Sequence, residues 1–84
     1  MYYIYLLRCS DNSLYCGQTK DLERRIEEHN GDSSKSKYTR VRKPVKLVYF
    51  EKYKTINEVL KREFEIKKLT KAKKEILIKK NITL

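Results

Sequence analysis

Residues 2–8 (Tyr2, Tyr3, Ile4, Tyr5, Leu6, Leu7, Arg8) form an aromatic, β-prone run with Tyr3, Tyr5 and Leu7 on one face. A second short apolar run covers 14–18. Between the two lie Ser10, Asp11, Asn12 and Ser13. Asp and Asn tolerate positive φ and close turns with their own side chains, so the pattern predicts a β-hairpin with Asp11 and Asn12 at its tip. That register sets Tyr15 across from Arg8 and Cys9 across from Leu14.

Thr19 or Asp21 can cap a helix running to about Asn30, with Gly31 as its stop. At 100° per residue, Leu22, Arg25, Ile26 and His29 share one side of it. Residues 31–44 are polar and basic, include Lys35, Lys37, Arg40, Arg42 and Lys43, and read as a mobile loop closed by Pro44. In 45–53 both faces carry apolar groups, which predicts a strand at the centre of the sheet or covered on both sides. Thr55 and Glu58 form a capping box that opens a helix to about Leu69, with Ile56, Val59, Leu60 and Phe64 as its stripe. Thr70 caps a last, Lys-rich amphipathic helix over about 71–80. The order ββαβαα predicts an α+β domain, a mostly antiparallel three-stranded sheet with flanking helices. A doubly wound parallel sheet is disfavoured because the first connection is too short for a crossover.

With 84 residues there is room for one core, so 1–84 reads as a single domain. The 21 Lys+Arg against 11 Asp+Glu are unevenly spread: 8 against 6 in residues 1–42, 13 against 5 in residues 43–84. The positive field of the second half attracts polyanions without specifying which. Cys9 and Cys16 do not face each other in the predicted hairpin, and two cysteines with one histidine cannot build a disulfide framework or a four-ligand zinc site. The chain opens directly in a strand-like run, and no apolar stretch approaches the roughly 20 residues a bilayer span needs. No membrane role is therefore expected, and the cytoplasm is the expected compartment.

Some polar side chains fall where a bland helix would place apolar ones. Arg25 and His29, at i and i+4, lie on the stripe with Leu22 and Ile26, and Glu63 falls near the centre of the later stripe. Each has an ordinary reading: Glu63 as the i, i+4 partner of Lys67, His29 as a helix-end histidine, Arg25 as a solvated base, and Tyr3, Tyr5 and Tyr15 as cross-strand aromatics. Converging over one sheet, they would supply the groups that phosphodiester hydrolysis needs. A carboxylate holds a divalent metal, a guanidinium neutralises charge growing on phosphate oxygens, and a phenol or imidazole handles the water proton.

Tyr3-Ile4-Tyr5, Tyr15-Cys16-Gly17 ten residues later, then Arg25, His29 and Glu63, resemble a GIY-YIG nuclease domain over residues 2 to about 80. The pattern is most similar to small stand-alone bacterial GIY-YIG proteins of uncharacterised role, with their Lys37-Tyr38-Thr39-Arg40 segment, Pro44-Val45 and Lys-rich last helix. The resemblance implies that Tyr5 and Tyr15 position or deprotonate the attacking water and that Gly17 admits a close backbone approach. It further implies that Arg25 stabilises the transition state, that His29 matches the histidine of homing and structure-specific members, and that Glu63 binds Mg²⁺ or Mn²⁺. Tyr38 stands near a second histidine or tyrosine of other members. Tyr3 departs from the first motif's glycine, Cys16 from the second motif's isoleucine, and Gln18 from the lysine of excision-repair members.

The expected function is a metal-dependent endonuclease acting on DNA, structure-specific in repair or recombination. Arg40, Arg42, Lys67, Lys68, Lys71, Lys73 and Lys74 are its expected phosphate contacts, and it either borrows specificity from a protein partner or is nonspecific. The alternatives are a non-catalytic nucleic-acid-binding module and a basic protein–protein adaptor. Binding alone needs Lys and Arg but no Glu63, which favours the enzyme.

Overall fold

The computed structural model describes residues 1–31 and 37–82, so the stretch 32–36 of the predicted loop lies outside the described residues. Strands β1 (Tyr2–Arg8), β2 (Leu14–Thr19) and β3 (Lys46–Tyr53) form an antiparallel sheet in the order β2-β1-β3. Helices α1 (Leu22–Asn30) and α2 (Lys37–Arg40) follow β2, and α3 (Ile56–Lys67) and α4 (Lys71–Ile82) follow β3. Each face of the sheet is covered. Ile4, Leu6, Cys16 and Tyr49 pack under α3 and α4 with Val59, Ile66 and Ile78. Tyr5, Leu7, Cys9 and Val45 pack on the other face with Leu22 and Ile26 of α1 and Tyr38 of α2.

The hairpin loop holds one residue more than the sequence suggests. Asn12 takes φ 68°, its amide donates to the Cys9 carbonyl at 2.9 Å, and the Cys9 amide donates to the Ser13 carbonyl at 2.9 Å. This is a three-residue loop of the turn-plus-bulge kind, braced by the Asp11 carboxylate accepting from the Ser13 amide and hydroxyl. The register therefore moves by one: Leu7 faces Tyr15, Arg8 faces Leu14 and Tyr5 faces Gly17. A one-residue slip exchanges the faces of a strand, so the extra loop residue brings Tyr15 onto the side of Tyr5.

Two further expectations are corrected, and for residues 45–53 the second of the two alternatives holds. β3 is covered on both faces, with Tyr49 under α3 and α4 and Leu47 on the α1 face, while the central strand is β1, with Ile4 to Leu7 fully buried, because it pairs with both neighbours. β3 is an edge strand, irregular opposite Leu6 and Leu7 and carrying exposed Lys46 and Lys52, charges that discourage a further strand from adding there. The predicted loop contains the helical turn α2, which seats Thr39 with no exposure. Helix α3 buries Val59 and Ile66 and leaves Ile56, Leu60 and Phe64 at 40%, 46% and 62% exposure.

The reason α3 is rotated is an ion pair beneath it. Arg62 donates to both oxygens of Glu51 on β3 at 2.8 and 3.0 Å, while the hydroxyls of Tyr49 and Tyr53 donate to the same carboxylate. Turning the apolar stripe inward would strand a half-buried carboxylate, a cost that offsets the burial Ile56, Leu60 and Phe64 would gain. The helix caps agree with the sequence: Asp21 accepts from the Arg24 amide, and Thr55 accepts from the Glu58 amide. At the hairpin end, Arg8 meets Glu75 of α4 at 2.6 and 2.8 Å and ties the last helix to β1.

Candidate active site

Four of the side chains singled out by sequence meet on the α1 face. The Tyr5 phenol oxygen lies 2.9 Å from His29 Nε2, and Arg25 Nε donates to the same oxygen at 3.3 Å. Nδ1 of His29 is 2.8 Å from the Thr39 hydroxyl. Tyr15 stands beside them, its ring centroid 5.1 Å from that of His29, 6.4 Å from that of Tyr5 and 5.7 Å from that of Tyr38.

Local structure explains this convergence. Tyr5 and Gly17 are paired across β1 and β2, and a Cβ on Gly17 would sit 2.4 Å from the Tyr5 oxygen and 2.6 Å from Cζ. Glycine is required because the Tyr5 ring lies over its Cα, an approach no real Cβ allows. Asp21 fixes the start of α1, and the spacing of Arg25 and His29 then places both side chains on the turn facing β1. Thr39 comes from α2; the sequence marked it only within the Lys37-Tyr38-Thr39-Arg40 segment of the resemblance and gave it no role, because a threonine in a basic, aperiodic stretch gives no pattern to read.

Arginine only donates, so the Tyr5 oxygen accepts from Arg25; with the Tyr5 proton directed at His29 Nε2, the imidazole would carry its own proton on Nδ1 and donate to Thr39. Burial pushes the Tyr5 hydroxyl up to about 12, with the Arg25 hydrogen bond opposing. Burial, aided by the Arg25 charge, holds His29 below its ordinary 6.5. At neutral pH the pair is thus a protonated phenol against a neutral imidazole.

Arg25 also donates to Glu28 at 3.3 Å and lines an open cleft of about 410 Å³ with Gln18, Lys20, Asp21, Arg24 and Glu28. Gln18 belongs to edge strand β2, so the cleft opens at that edge.

Glu63 is elsewhere. It projects from α3, which covers the opposite face, and its carboxylate lies 3.4 Å from Lys67 Nζ with the side chain 19% exposed. Its charge is felt in the hairpin by Cys16, whose thiol is pushed up to about 11 by burial and next by the Glu63 charge. Of the groups expected to converge over one sheet, Tyr5, Tyr15, Arg25 and His29 therefore meet on its α1 face, and Glu63 lies on the other face. Among the described residues no cluster of three or more His, Cys, Asp or Glu could hold a metal ion. A lone carboxylate fits a hard divalent cation only when phosphate oxygens and waters complete the shell, the habit of Mg²⁺.

The expected phosphate contacts divide between the two faces. Arg40 and Arg42 lie with α2, whereas Lys67, Lys68, Lys71, Lys73 and Lys74 belong to α3 and α4. Arg42 is held by Asp11 at 3.0 Å, by the Tyr38 carbonyl at 3.0 Å and over the Tyr38 ring at 4.1 Å. It braces the hairpin against α2. Lys67, Lys68 and Lys71 meet Glu63, the Phe64 ring and Glu75 in exposed contacts worth little each, so a phosphate can displace them.

Comparison with known proteins gives the family and the fold. Residues 1–76 match the GIY-YIG catalytic domain, and the chain belongs to that family. It is 49% identical over 79 residues to a UPF0213 protein of Syntrophus aciditrophicus, covering 94% of this chain and 91% of the relative. It is 53% identical over 78 residues to a UPF0213 protein of Staphylococcus aureus, covering 93% and 94%. Solution NMR structures of a UPF0213 protein from Bacillus halodurans and of a protein from E. faecalis are similar, with TM-scores of 0.60 and 0.66 and identities of 40% and 41%. They cover 94% and 99% of this chain and 84% and 88% of theirs. Among the described residues no helix is long and apolar enough to cross a membrane.

Proposed function

We propose that this domain hydrolyses phosphodiester bonds in DNA, with Arg25 on the scissile phosphate and Tyr5 receiving the water proton. The observation that carries this reading is the chain Arg25–Tyr5–His29–Thr39. A phenol held at about 12 is a poor base by itself at neutral pH. It becomes competent when it passes its own proton to a neutral imidazole as it takes one from water, and His29 Nε2 is placed at 2.9 Å to receive it. In this reading Thr39, 2.8 Å from Nδ1, accepts its proton and so leaves Nε2 free to accept. Arg25 stays cationic, touches the same oxygen and faces the cleft, so it lowers the cost of charge forming on Tyr5 and on the phosphate together. Tyr15 walls the site on the β2 side.

Mg²⁺ or Mn²⁺ would be held by Glu63 and would supply positive charge to the phosphate oxygens. Because Glu63 and the Arg25 cleft lie on either side of edge strand β2, the strand to be cut would cross that edge near Gly17 and Gln18. The Glu63–Lys67 ion pair and the absence of a multi-ligand cluster among the described residues favour a second reading, a nucleic-acid-binding module without turnover.

The experiment is to incubate the purified protein with single-stranded, duplex, nicked and branched DNA, with and without Mg²⁺ or Mn²⁺, alongside Glu63→Gln. Metal-dependent cleavage by the parent and none by Glu63→Gln, with binding retained, supports the nuclease. Binding with no cleavage across the whole panel assigns the binding module, and cleavage by Glu63→Gln at parental rate removes Glu63 from the mechanism.

A further inference from the structure

Beside the Arg25 cleft, and sharing Lys20 and Asp21 with it, lies a second groove of about 470 Å³ between α1 and the β1–β3 edge. Its walls are Tyr3, Leu22, Ile26, Leu47 and Phe50. The Tyr3 and Phe50 rings are tilted at 60° with centroids 6.1 Å apart, and Phe50 is 43% exposed on the edge strand. Lys20, Asp21, Glu23 and Lys52 complete the lining.

The two grooves differ in what they attract. The cleft at Arg25 sets three cations, Lys20, Arg24 and Arg25, against Asp21 and Glu28, a net positive lining that suits a phosphate. The Tyr3–Phe50 groove sets two lysines against two carboxylates over apolar and aromatic walls, a net neutral lining in a concavity of small-ligand size. A phosphate gains nothing there. A flat, neutral, partly apolar group gains burial and stacking on a ring face, and the carboxylates accept from an exocyclic amine.

From this continuity we infer that the Tyr3–Phe50 groove takes the unstacked base of a nucleotide next to the phosphate seated at Arg25, so that the domain selects nucleic acid with an unpaired base beside the scissile bond. The inference rests on the phosphodiester reading of the Arg25 cleft. A base inside a duplex is stacked on both sides and cannot enter the groove without leaving the helix. A single strand, a frayed end or a mismatch presents one at lower cost.

The test is binding in EDTA, where cleavage plays no part. The probe is a short oligonucleotide carrying one 2-aminopurine, offered as a single strand and as the same sequence in a blunt duplex. The expected result is stronger binding of the single strand and quenching of its 2-aminopurine on binding. Phe50→Ala should weaken single-strand binding about tenfold and abolish the quenching while changing duplex binding less than twofold. Tyr3→Leu keeps apolar bulk in the strand and provides a second reading should Phe50→Ala fold poorly; it should reduce quenching in the same direction. Equal affinity for both probes, or single-strand binding and quenching untouched by both variants, overturns the inference and points to a protein segment or another ligand in the groove. A protein that cleaves DNA yet gives that result retains the nuclease reading and loses only the base subsite. One that quenches through Phe50 but never cleaves keeps the subsite and loses the nuclease reading.

Discussion

The Tyr5 hydroxyl and His29 Nε2, on a strand and a helix 24 residues apart, lie at 2.9 Å with both side chains buried. Neither group is charged at neutral pH, so the contact costs little to bury, and it becomes ionic only when a proton moves along it. That property suits a relay better than a permanent ion pair, which would cost several kcal/mol to desolvate.

Removing the hydroxyl tests the relay directly. Tyr5→Phe keeps the fully buried ring but leaves His29 Nε2 and Arg25 Nε without the oxygen they share. Stability should fall by about 1–2 kcal/mol, and cleavage by about 10² or more at unchanged nucleic-acid affinity. Thermal melting and a single-turnover assay read the two effects separately.

The pH dependence follows from His29. Its folded pKa is depressed below 6.5, so protonation favours the unfolded chain. Its contribution to stability is complete above the unfolded value and is lost as pH falls through the lower folded one. Cleavage should lose its base over the same acid range, giving an acid limb below pH 6.5. Replacing His29 by Gln should remove that limb from the pH–rate profile, leaving a low, flat rate.

Gly17→Ala sets two opposed effects against each other. Alanine in a strand interior gains about 0.5–1 kcal/mol over glycine in backbone entropy. The new Cβ would lie 2.4 Å from the Tyr5 oxygen, and a ring with no exposure cannot move aside without giving up His29. Overpacking of this kind costs about 1–3 kcal/mol, so the variant should be less stable on balance and lose activity. Urea titration and the Tyr5–His29 NMR contact would show both.

At the far end of the sheet, Arg8 and then Lys71 hold Glu75 at about 2. A carboxylate depressed in the folded state stabilises above its unfolded value of 4.5, and that contribution drains away as pH falls towards 2. Because Arg8 and Glu75 are 27% and 33% exposed, the gain is on the order of 1 kcal/mol or less after screening. Glu75→Gln should flatten the melting temperature between pH 5 and pH 2.5 and leave cleavage at neutral pH unchanged.

Local signals carried the reading of the elements. Strand periodicity, the Asp11-Asn12 turn, the Asp21 and Thr55 caps and the charge of the second half all act between residues close in sequence, so the chain alone shows them. The candidate residues were also legible, because Tyr5, Tyr15, Arg25, His29 and Glu63 are chemical types in a recognisable spacing.

Tertiary structure decided their grouping. Asn12 adopts positive φ and adds one residue to the hairpin loop, and that single step puts Gly17 opposite Tyr5 and Tyr15 on the same face. Pairing with both neighbours, a property of no strand taken alone, makes β1 central. The Glu51–Arg62 pair, 11 residues apart, overrides the apolar stripe of α3 and leaves Ile56, Leu60 and Phe64 outside, while Glu63 lies across the sheet from Arg25. Thr39 enters only because α2 folds back onto His29. Residue types and short-range propensities fix which groups are available; register and packing, which depend on partners distant along the chain, fix which of them meet.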